Sequence, residues 1–391
     1  MNPAESLVPA RQFMLEFSQL TGLDPAGIQP RRYLWTDAFA VCNYLEFFSR
    51  TNDKTSLNLA LRLVDQVHHT LGQHRMDDPR TGWISGLSAR EGELHPTRGG
   101  LRIGKSFRER GPNEYYHAQQ EWDRDGQYFH YLTKWMHALN RVGQVVGDRK
   151  YNAWAIELAH AAHAGFTYLP PGRDCKRMYW KMSIDLSYPL VLSMGQHDPL
   201  DGLVTYHELQ LFTARESGQT GPPDLIQEIA DMTDINRGLD LFTDDPLGIG
   251  GLLSDASRLA QIMIKGGSQG NDLLESVLYS AHAGLVSFTG SNALRLPASH
   301  RLAFRELGLS IGLSGIEKLR ELIENNPDIF GNTNPLHSPL YGLLEYVPLK
   351  EKIEQFWLDP KNRKFSSWIE HRDINLVMLA SSLAPGGFLQ I

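Results

Sequence analysis

The sequence predicts an all-α protein in which six helical hairpins close into a ring. Apolar residues recur at three- and four-residue steps through most of the chain, and polar or glycine-containing breaks divide these runs. Signals for β-strands are weak. Because one helical hairpin cannot bury its apolar face alone, repeated hairpins pack side by side. Six of them can form an inner ring of helices surrounded by an outer ring.

Two of the hairpins are clearly marked. Residues 33–71 carry a helical apolar stripe interrupted at 52–54, and residues 127–166 repeat it around a glycine and an aspartate at 147 and 148. Weaker hairpins are predicted at 184–212 with a break at 195–199, at 247–288 with a break at 266–268, at 302–323 with a break at 312–315, and at 349–384.

A single domain is expected over residues 1–391, with one long insertion. The insertion covers about residues 75–120, is rich in glycine, arginine and proline, and is predicted to hold a short β-hairpin at 83–102. Long loops in compact domains are usually functional. We therefore expect this loop to contribute to a site.

Composition excludes several classes of function. The chain has 391 residues, 41% of them hydrophobic, and a formal net charge of −7, which indicates a globular protein without a nucleic-acid partner. No apolar run approaches the roughly 20 residues of a membrane span, and no signal peptide is visible at the start. With only two cysteines, a disulfide framework is not expected, so a cytoplasmic location is predicted.

Charged residues recur near the start of the first helix of each predicted hairpin. If inner helices share one direction, their N-termini meet at one rim of the ring, where the positive ends of the helix dipoles also lie. The recurring residues are Asp37, Asp125, Asp185, Asp245, Arg305 and Asp373.

Over residues 31–385 the pattern resembles the six-hairpin glycosidase superfamily, the (α/α)6 toroids. Two segments, DRDGQYF at 123–129 and IDLSYPL at 184–190, are similar to the unsaturated glucuronyl and rhamnogalacturonyl hydrolases. This resemblance implies that Asp185 is the proton-donating aspartate and Asp125 its partner. The family's His-Asp pair is Arg124-Asp125 here, and Leu186 and Ser187 replace polar asparagines after the second aspartate.

Glycoside hydrolysis needs two carboxyl groups. One protonates the leaving oxygen and the other activates water, at a separation of about 6.5–9.5 Å in inverting enzymes. Asp125 and Asp185 are the candidate catalytic residues, with Asp125 orienting or activating the water. The alternative is that each aspartate only caps a helix, because its oxygen accepts a free backbone N–H there.

Further residues are candidates for sugar binding. Aromatic faces pack on the C–H bonds of sugar rings, and an arginine pairs with a substrate carboxylate. Packing in the core, helix capping and surface ion pairs are the alternatives for each. The candidates are Trp35, Asp37, Glu114, Tyr116, His117, Trp122, Arg305, Arg372 and Asp373.

No cofactor and no metal is predicted. The fifteen histidines include no HExxH pattern, and no glycine-rich segment carries the residues of a nucleotide-binding loop. The predicted function is a glycoside hydrolase acting on a small carbohydrate, including unsaturated or acidic oligosaccharides. Two alternatives stay open: a sugar epimerase of the N-acylglucosamine 2-epimerase type with two essential histidines, and a glycan-binding or scaffold protein without catalysis.

Overall fold

A computed structural model describes residues 3–27, 29–214, 224–266, 270–331 and 336–391. Contacts between these residues divide the chain into two compact units. We call Thr21–Leu239 the N-terminal unit, and Met1–Leu20 together with Asp240–Ile391 the C-terminal unit. Each is described by itself.

Helices make up most of the chain, which confirms the predicted all-α class. The first helix, α1, is Pro3–Thr21. The N-terminal unit then contains α2 (Leu34–Thr51), α3 (Lys54–Leu71), α4 (Ala89–Leu94), α5 (Ala118–Asp123), α6 (Phe129–Val146), α7 (Lys150–Phe166), α8 (Asp198–Ala214) and α9 (Ile226–Asn236). The C-terminal unit contains α10 (Pro246–Gly266), α11 (Asn271–Gly290), α12 (Ala303–Glu324), α13 (Pro327–Phe330), α14 (His337–Leu344), α15 (Pro348–Leu358), α16 (Ser366–Ile369), α17 (Arg372–Leu383) and α18 (Gly386–Leu389).

Short strands occur only beside the helices of the N-terminal unit, as far as the described residues show. They are β1 (Gln127–Tyr128), β2 (Thr167–Tyr168), β3 (Arg177–Met178), β4 (Lys181–Met182) and β5 (Pro189–Val191). β4 pairs antiparallel with both β1 and β5, and β2 pairs antiparallel with β3.

The two clearly marked hairpins are confirmed. Between α2 and α3, Asn52 takes a left-handed conformation and the Asp53 side chain accepts a hydrogen bond from the Thr55 amide, which begins α3. Between α6 and α7, Gly147 has a φ of 70°, a conformation that glycine adopts without strain. Local capping chemistry thus sets both turns.

The weaker hairpins are confirmed only in part. α10 and α11 flank the predicted break at 266–268, although residues 267–268 lie outside the described residues. α15 and α17 correspond to the predicted hairpin at 349–384, although α15 begins one residue earlier.

Three predictions of local structure are wrong. The segment 184–191 forms the β4–β5 turn instead of a helix, because Leu186 has a φ of 60° and the Asp185 side chain binds the Ser187 amide. Residues 312–315 lie inside one helix, α12. The expected β-hairpin at 83–102 contains α4 instead, which begins at a capping box of Ser88 and Glu91.

Helices of each unit differ in how much of their surface is buried. α2, α6 and α8 lie side by side in the N-terminal unit, and α10, α12 and α17 lie side by side in the C-terminal unit. All residues of α2 from Leu34 to Phe47 are buried, whereas α3 buries a stripe on one face. Inner helices paired with outer ones, the building blocks of an (α/α)6 fold, are therefore present in both units. None of the described helices is long and apolar enough to cross a membrane.

Candidate active site

Loops of the N-terminal unit converge where α6 begins. Hydrogen bonds hold the long insertion against this point: the Asp125 amide donates to the Phe107 carbonyl at 2.7 Å, and the Ile103 amide donates to the Gly126 carbonyl at 2.8 Å. The Gln127 side chain, which is fully buried, donates to the Ile184 carbonyl. We call residues 72–110, 124–128 and 183–188 the loop cluster. The expectation that the insertion contributes to a site stays a prediction, and the cluster is where it applies.

Asp185 lies in the β4–β5 turn with 31% of its side chain exposed. One oxygen accepts hydrogen bonds from the Ser183 hydroxyl at 2.8 Å and the Ser187 hydroxyl at 2.5 Å, and the other accepts from Arg80 at 2.8 Å. Partial burial opposes ionisation, but the hydrogen bonds from Ser187 and Ser183 and the charge of Arg80 outweigh it and lower the pKa of Asp185. Asp185 is therefore an ionised carboxylate in contact with solvent.

Arg80 joins Asp185 to two further carboxyl groups. Its guanidinium also donates to Asp78, at 2.7 Å, and to Glu109. The second oxygen of Glu109 accepts a hydrogen bond from the Ile184 amide at 2.5 Å. Burial raises the pKa of Glu109 despite these hydrogen bonds, and the nearby charge of Asp185 raises it further. Glu109 thus holds a proton more readily than an ordinary glutamate.

Asp125 lies behind these loops with no exposed side-chain surface. One oxygen accepts hydrogen bonds from the Gly104 amide at 2.9 Å and the Lys105 amide at 3.3 Å, and the other accepts from Arg102 at 2.9 Å and Arg75 at 3.3 Å. All four donors belong to the insertion, so this carboxylate connects the insertion to the start of α6.

His74 lies in the same loop as Arg80. Burial lowers the pKa of its imidazole, and the charge of Arg80 lowers it further, against the opposing effects of Asp78 and Asp185. Its Nδ1 atom is buried and has no hydrogen-bond partner among the residues that the structure describes. The ring is therefore neutral at neutral pH, with a free nitrogen in the loop that carries Arg80.

A buried lysine binds main-chain carbonyl groups at the edge of the loop cluster. Lys181, at the start of β4, donates to the Glu121 and Arg124 carbonyls at the end of α5. Burial and the charge of Lys105 lower the pKa of Lys181 to about 8. Its ammonium lies 5.3 Å from the centre of the Tyr128 ring.

Three of the predicted sugar-binding residues, Tyr116, His117 and Trp122, lie beside the loop cluster, and we call them the aromatic wall. Trp122 is 51% exposed and packs edge-on against Trp180 with ring centres 5.2 Å apart. Tyr116 is 54% exposed and lies beneath Arg110. His117, also exposed, precedes the first residue of α5. Glu114 accepts hydrogen bonds from Arg108 and Arg124.

The other predicted binding residues of the N-terminal unit lie at the start of α2. Asp37 is buried, pairs with Arg32 at 3.2 Å and accepts a hydrogen bond from the Tyr33 amide. Trp35 is buried as well and packs against Phe39. Both side chains thus have the core and capping contacts that the alternative interpretation describes.

Three predicted residues belong to the C-terminal unit. Arg305, in the first turns of α12, pairs with Asp245. Arg372, the first residue of α17, donates to Glu16 of α1 at 2.8 Å, and Asp373 follows it. Each arginine therefore already has a carboxylate partner within its own unit.

Sequence reasoning missed His74, Arg80 and Glu109. The only signal for Arg80 and Glu109 was their place in an arginine-rich insertion long enough to be functional, and His74 directly precedes that insertion. Nothing in the local pattern singles out one arginine or one glutamate, because their partners are distant in the chain. The serines on both sides of Asp185 were a local signal, since short hydroxyl side chains bind nearby carboxylates and amides in turns.

Comparisons with known proteins found similarity at the level of structure only. No protein family matches the sequence, and no curated protein matches it. A solved sugar epimerase from a ruminal bacterium aligns with 81% of this chain and 88% of its own, at 9% identity and a TM-score of 0.42. The cellobiose 2-epimerase of Spirochaeta thermophila aligns with 88% of this chain and 98% of its own, at 12% identity and a TM-score of 0.47.

Proposed function

We propose that the protein is a carbohydrate-active enzyme that hydrolyses a glycosidic bond with Asp185 as general base and Glu109 as general acid. One observation carries the proposal: two carboxyl groups bind the same guanidinium, and their surroundings shift their pKa values in opposite directions. Such divergence separates an acid from a base within one site.

The proposed step uses both groups at once. Asp185, ionised and partly exposed, takes a proton from water as the water oxygen bonds to the anomeric carbon. Glu109 gives its proton to the departing oxygen as the glycosidic bond breaks. Arg80 keeps the two side chains in place, and Ser183 and Ser187 hold the carboxylate of Asp185 in one orientation.

This proposal changes the roles that the family resemblance implies. A lowered pKa keeps Asp185 ionised, which suits a base better than a proton donor. Asp125, without exposed surface, acts as a positioning residue that holds Arg75, Arg102 and the loop around Gly104. The aromatic wall supplies faces for sugar rings.

The test is an activity screen on neutral and uronic-acid oligosaccharides with wild-type protein, Asp185→Asn and Glu109→Gln. We expect each variant to lose at least 100-fold in kcat, the range that general acid–base groups contribute, with an unchanged circular dichroism spectrum. Asp234→Asn, an exposed aspartate of α9, is the matched control and should retain full activity. Wild-type rates in Asp185→Asn would refute the proposal, and no turnover by the wild type would favour a glycan-binding protein.

Epimerisation of a sugar, the activity named for both solved structures above, is the second candidate. The observation that favours it here is His74, a neutral imidazole in the loop that carries Arg80, whose buried Nδ1 atom has no hydrogen-bond partner among the described residues. A neutral imidazole can remove a proton beside a carbonyl group.

Deuterium incorporation separates the two candidates. In D2O an epimerase places deuterium on the epimerised carbon, and His74→Asn should abolish this exchange. A hydrolase releases two sugars without carbon-bound deuterium, and His74→Asn should retain most of its rate. Mass spectrometry of the products measures both outcomes.

A further inference from the structure

A groove lies between the loop cluster and α5. It has a volume of about 400 Å³ and is lined by Phe107, Arg108, Gln120, Asp123 and Arg124. Phe107 is 63% exposed, so much of its phenyl ring is accessible to a ligand. The groove belongs wholly to the N-terminal unit.

Hydrogen bonds connect this groove to the proposed catalytic residues. The Phe107 carbonyl accepts from the Asp125 amide at 2.7 Å, and Arg124 donates to the Glu109 carbonyl at 3.4 Å. Phe107 also lies only two residues before Glu109 in the same loop. The groove therefore adjoins the main chain that carries Glu109.

The charges around the groove are balanced. Arg108 and Arg124 both bind the carboxylate of Glu114, which offsets part of their positive charge. Asp123 adds a negative charge to the lining. Two arginines and two carboxylates leave this region close to neutral, so it has no excess positive charge to favour an anionic ligand over a neutral one.

The remaining groups suit a sugar. An exposed phenyl ring packs on the C–H face of a pyranose, while the Gln120 amide and the Asp123 carboxylate supply donors and acceptors for hydroxyl groups. A volume of about 400 Å³ lies in the range of small-molecule sites and accommodates a disaccharide.

We propose that this groove is a distal subsite for a neutral oligosaccharide, so that the substrate has at least two uncharged sugar units beyond the reacting one. The choice of a sugar rests on the proposed function. The subsite makes binding depend on chain length and on Phe107, neither of which the chemistry at Asp185 requires.

Titration calorimetry with neutral glucose oligosaccharides of one to five units tests the subsite, with galacturonic acid oligosaccharides of the same lengths as the charged comparison. Measured on Asp185→Asn, so that turnover does not interfere, affinity should rise with length for the neutral series. Adding Phe107→Ala should weaken binding of the longer chains about tenfold and leave glucose unaffected. Gln120→Ala should weaken the same chains, and Tyr279→Ala, an exposed aromatic residue of the C-terminal unit, is the control.

Three results would overturn the subsite: tighter binding of the galacturonic acid series, equal affinities with and without Phe107, or no binding of any chain. Length-dependent binding through Phe107 in a protein without turnover would instead support the subsite while rejecting the proposed hydrolysis.

Discussion

Asp125 and Asp185 show how far surroundings decide the role of an aspartate. Both were expected to face one cavity, on a family resemblance and a common position before a helix. In the structure, two arginines and two backbone amides surround one of them, while the other is partly exposed between two serines. The same side chain therefore stabilises a loop at one position and is available for chemistry at the other.

Replacing Asp125 by asparagine should destabilise the protein by about 3 kcal/mol, because the largely buried Arg102 loses its carboxylate partner, whereas Arg75 keeps its ion pair with Asp77. The Arg102 side chain is only 11% exposed, so little water can take the place of the carboxylate. Urea unfolding followed by tryptophan fluorescence measures the change. Asp234→Asn removes an exposed ion pair with Arg237 and should shift the midpoint little; an equally small shift for Asp125→Asn would contradict the positioning role.

The proposed acid could not be found from the sequence. Arg80 lies 29 positions from Glu109 and 105 positions from Asp185, so no local pattern reveals that one guanidinium binds both. The raised pKa of Glu109 arises from burial under loops whose path depends on these long-range contacts. Residues near Asp185, by contrast, were recognisable as a turn.

At the scale of elements, helices were predictable where local chemistry agrees with the apolar pattern. Asp53 and Gly147 mark helix ends by their own capping preferences, and both hairpins formed as expected. The helix break predicted at residues 312–315 was wrong. Its glycines, which often end helices, instead allow two helices to pack closely. The added Cβ atom at Gly312 would lie 2.6 Å from the Gly250 carbonyl oxygen of the neighbouring helix α10.

This contact between α10 and α12 gives a matched pair of substitutions. A Cβ atom at Gly250 would lie 2.2 Å from the Gly308 carbonyl oxygen, so Gly250→Ala must separate the helices and should destabilise the protein by about 3 kcal/mol. At Gly251 nothing lies within 4 Å of the added atom, and Gly251→Ala should stabilise it by up to about 1 kcal/mol through helix propensity. Thermal unfolding followed by circular dichroism measures both; equal effects would show that the helices do not approach as described.

For the whole molecule, the fold class was more predictable than the site. Hydrophobic periodicity is summed over hundreds of residues, so an error at residues 184–212 leaves the all-α class intact. The site depends on a few contacts within one insertion, where a single unpredicted partner changes a role. The single domain predicted over residues 1–391 stays a prediction.

The stability of the whole protein should fall in acid because of His68. This residue is buried, accepts a hydrogen bond from the Trp135 indole at 3.2 Å, and has its pKa lowered to about 3 by burial and by the charge of His69. Between the unfolded value of 6.5 and about 3, the unfolded chain binds a proton that the native state does not, so stability falls as pH falls. The full loss is about 5 kcal/mol. In His68→Gln, urea unfolding between pH 7 and pH 4 should show a smaller decrease than in the wild type.

His69, the next residue, should act with the opposite sign. Partial burial lowers the pKa of its ring, but hydrogen bonds with the Asp65 carbonyl and the Glu93 carboxylate outweigh burial and raise it. Its contribution to stability is therefore complete below pH 6.5 and is lost as pH rises through the raised value. His69→Gln should lower the free energy of unfolding most at pH 5 and least at pH 8, whereas His68→Gln should lower it most at pH 8. If both variants shift the pH dependence in the same direction, burial and hydrogen bonding do not control these two imidazoles as the structure indicates.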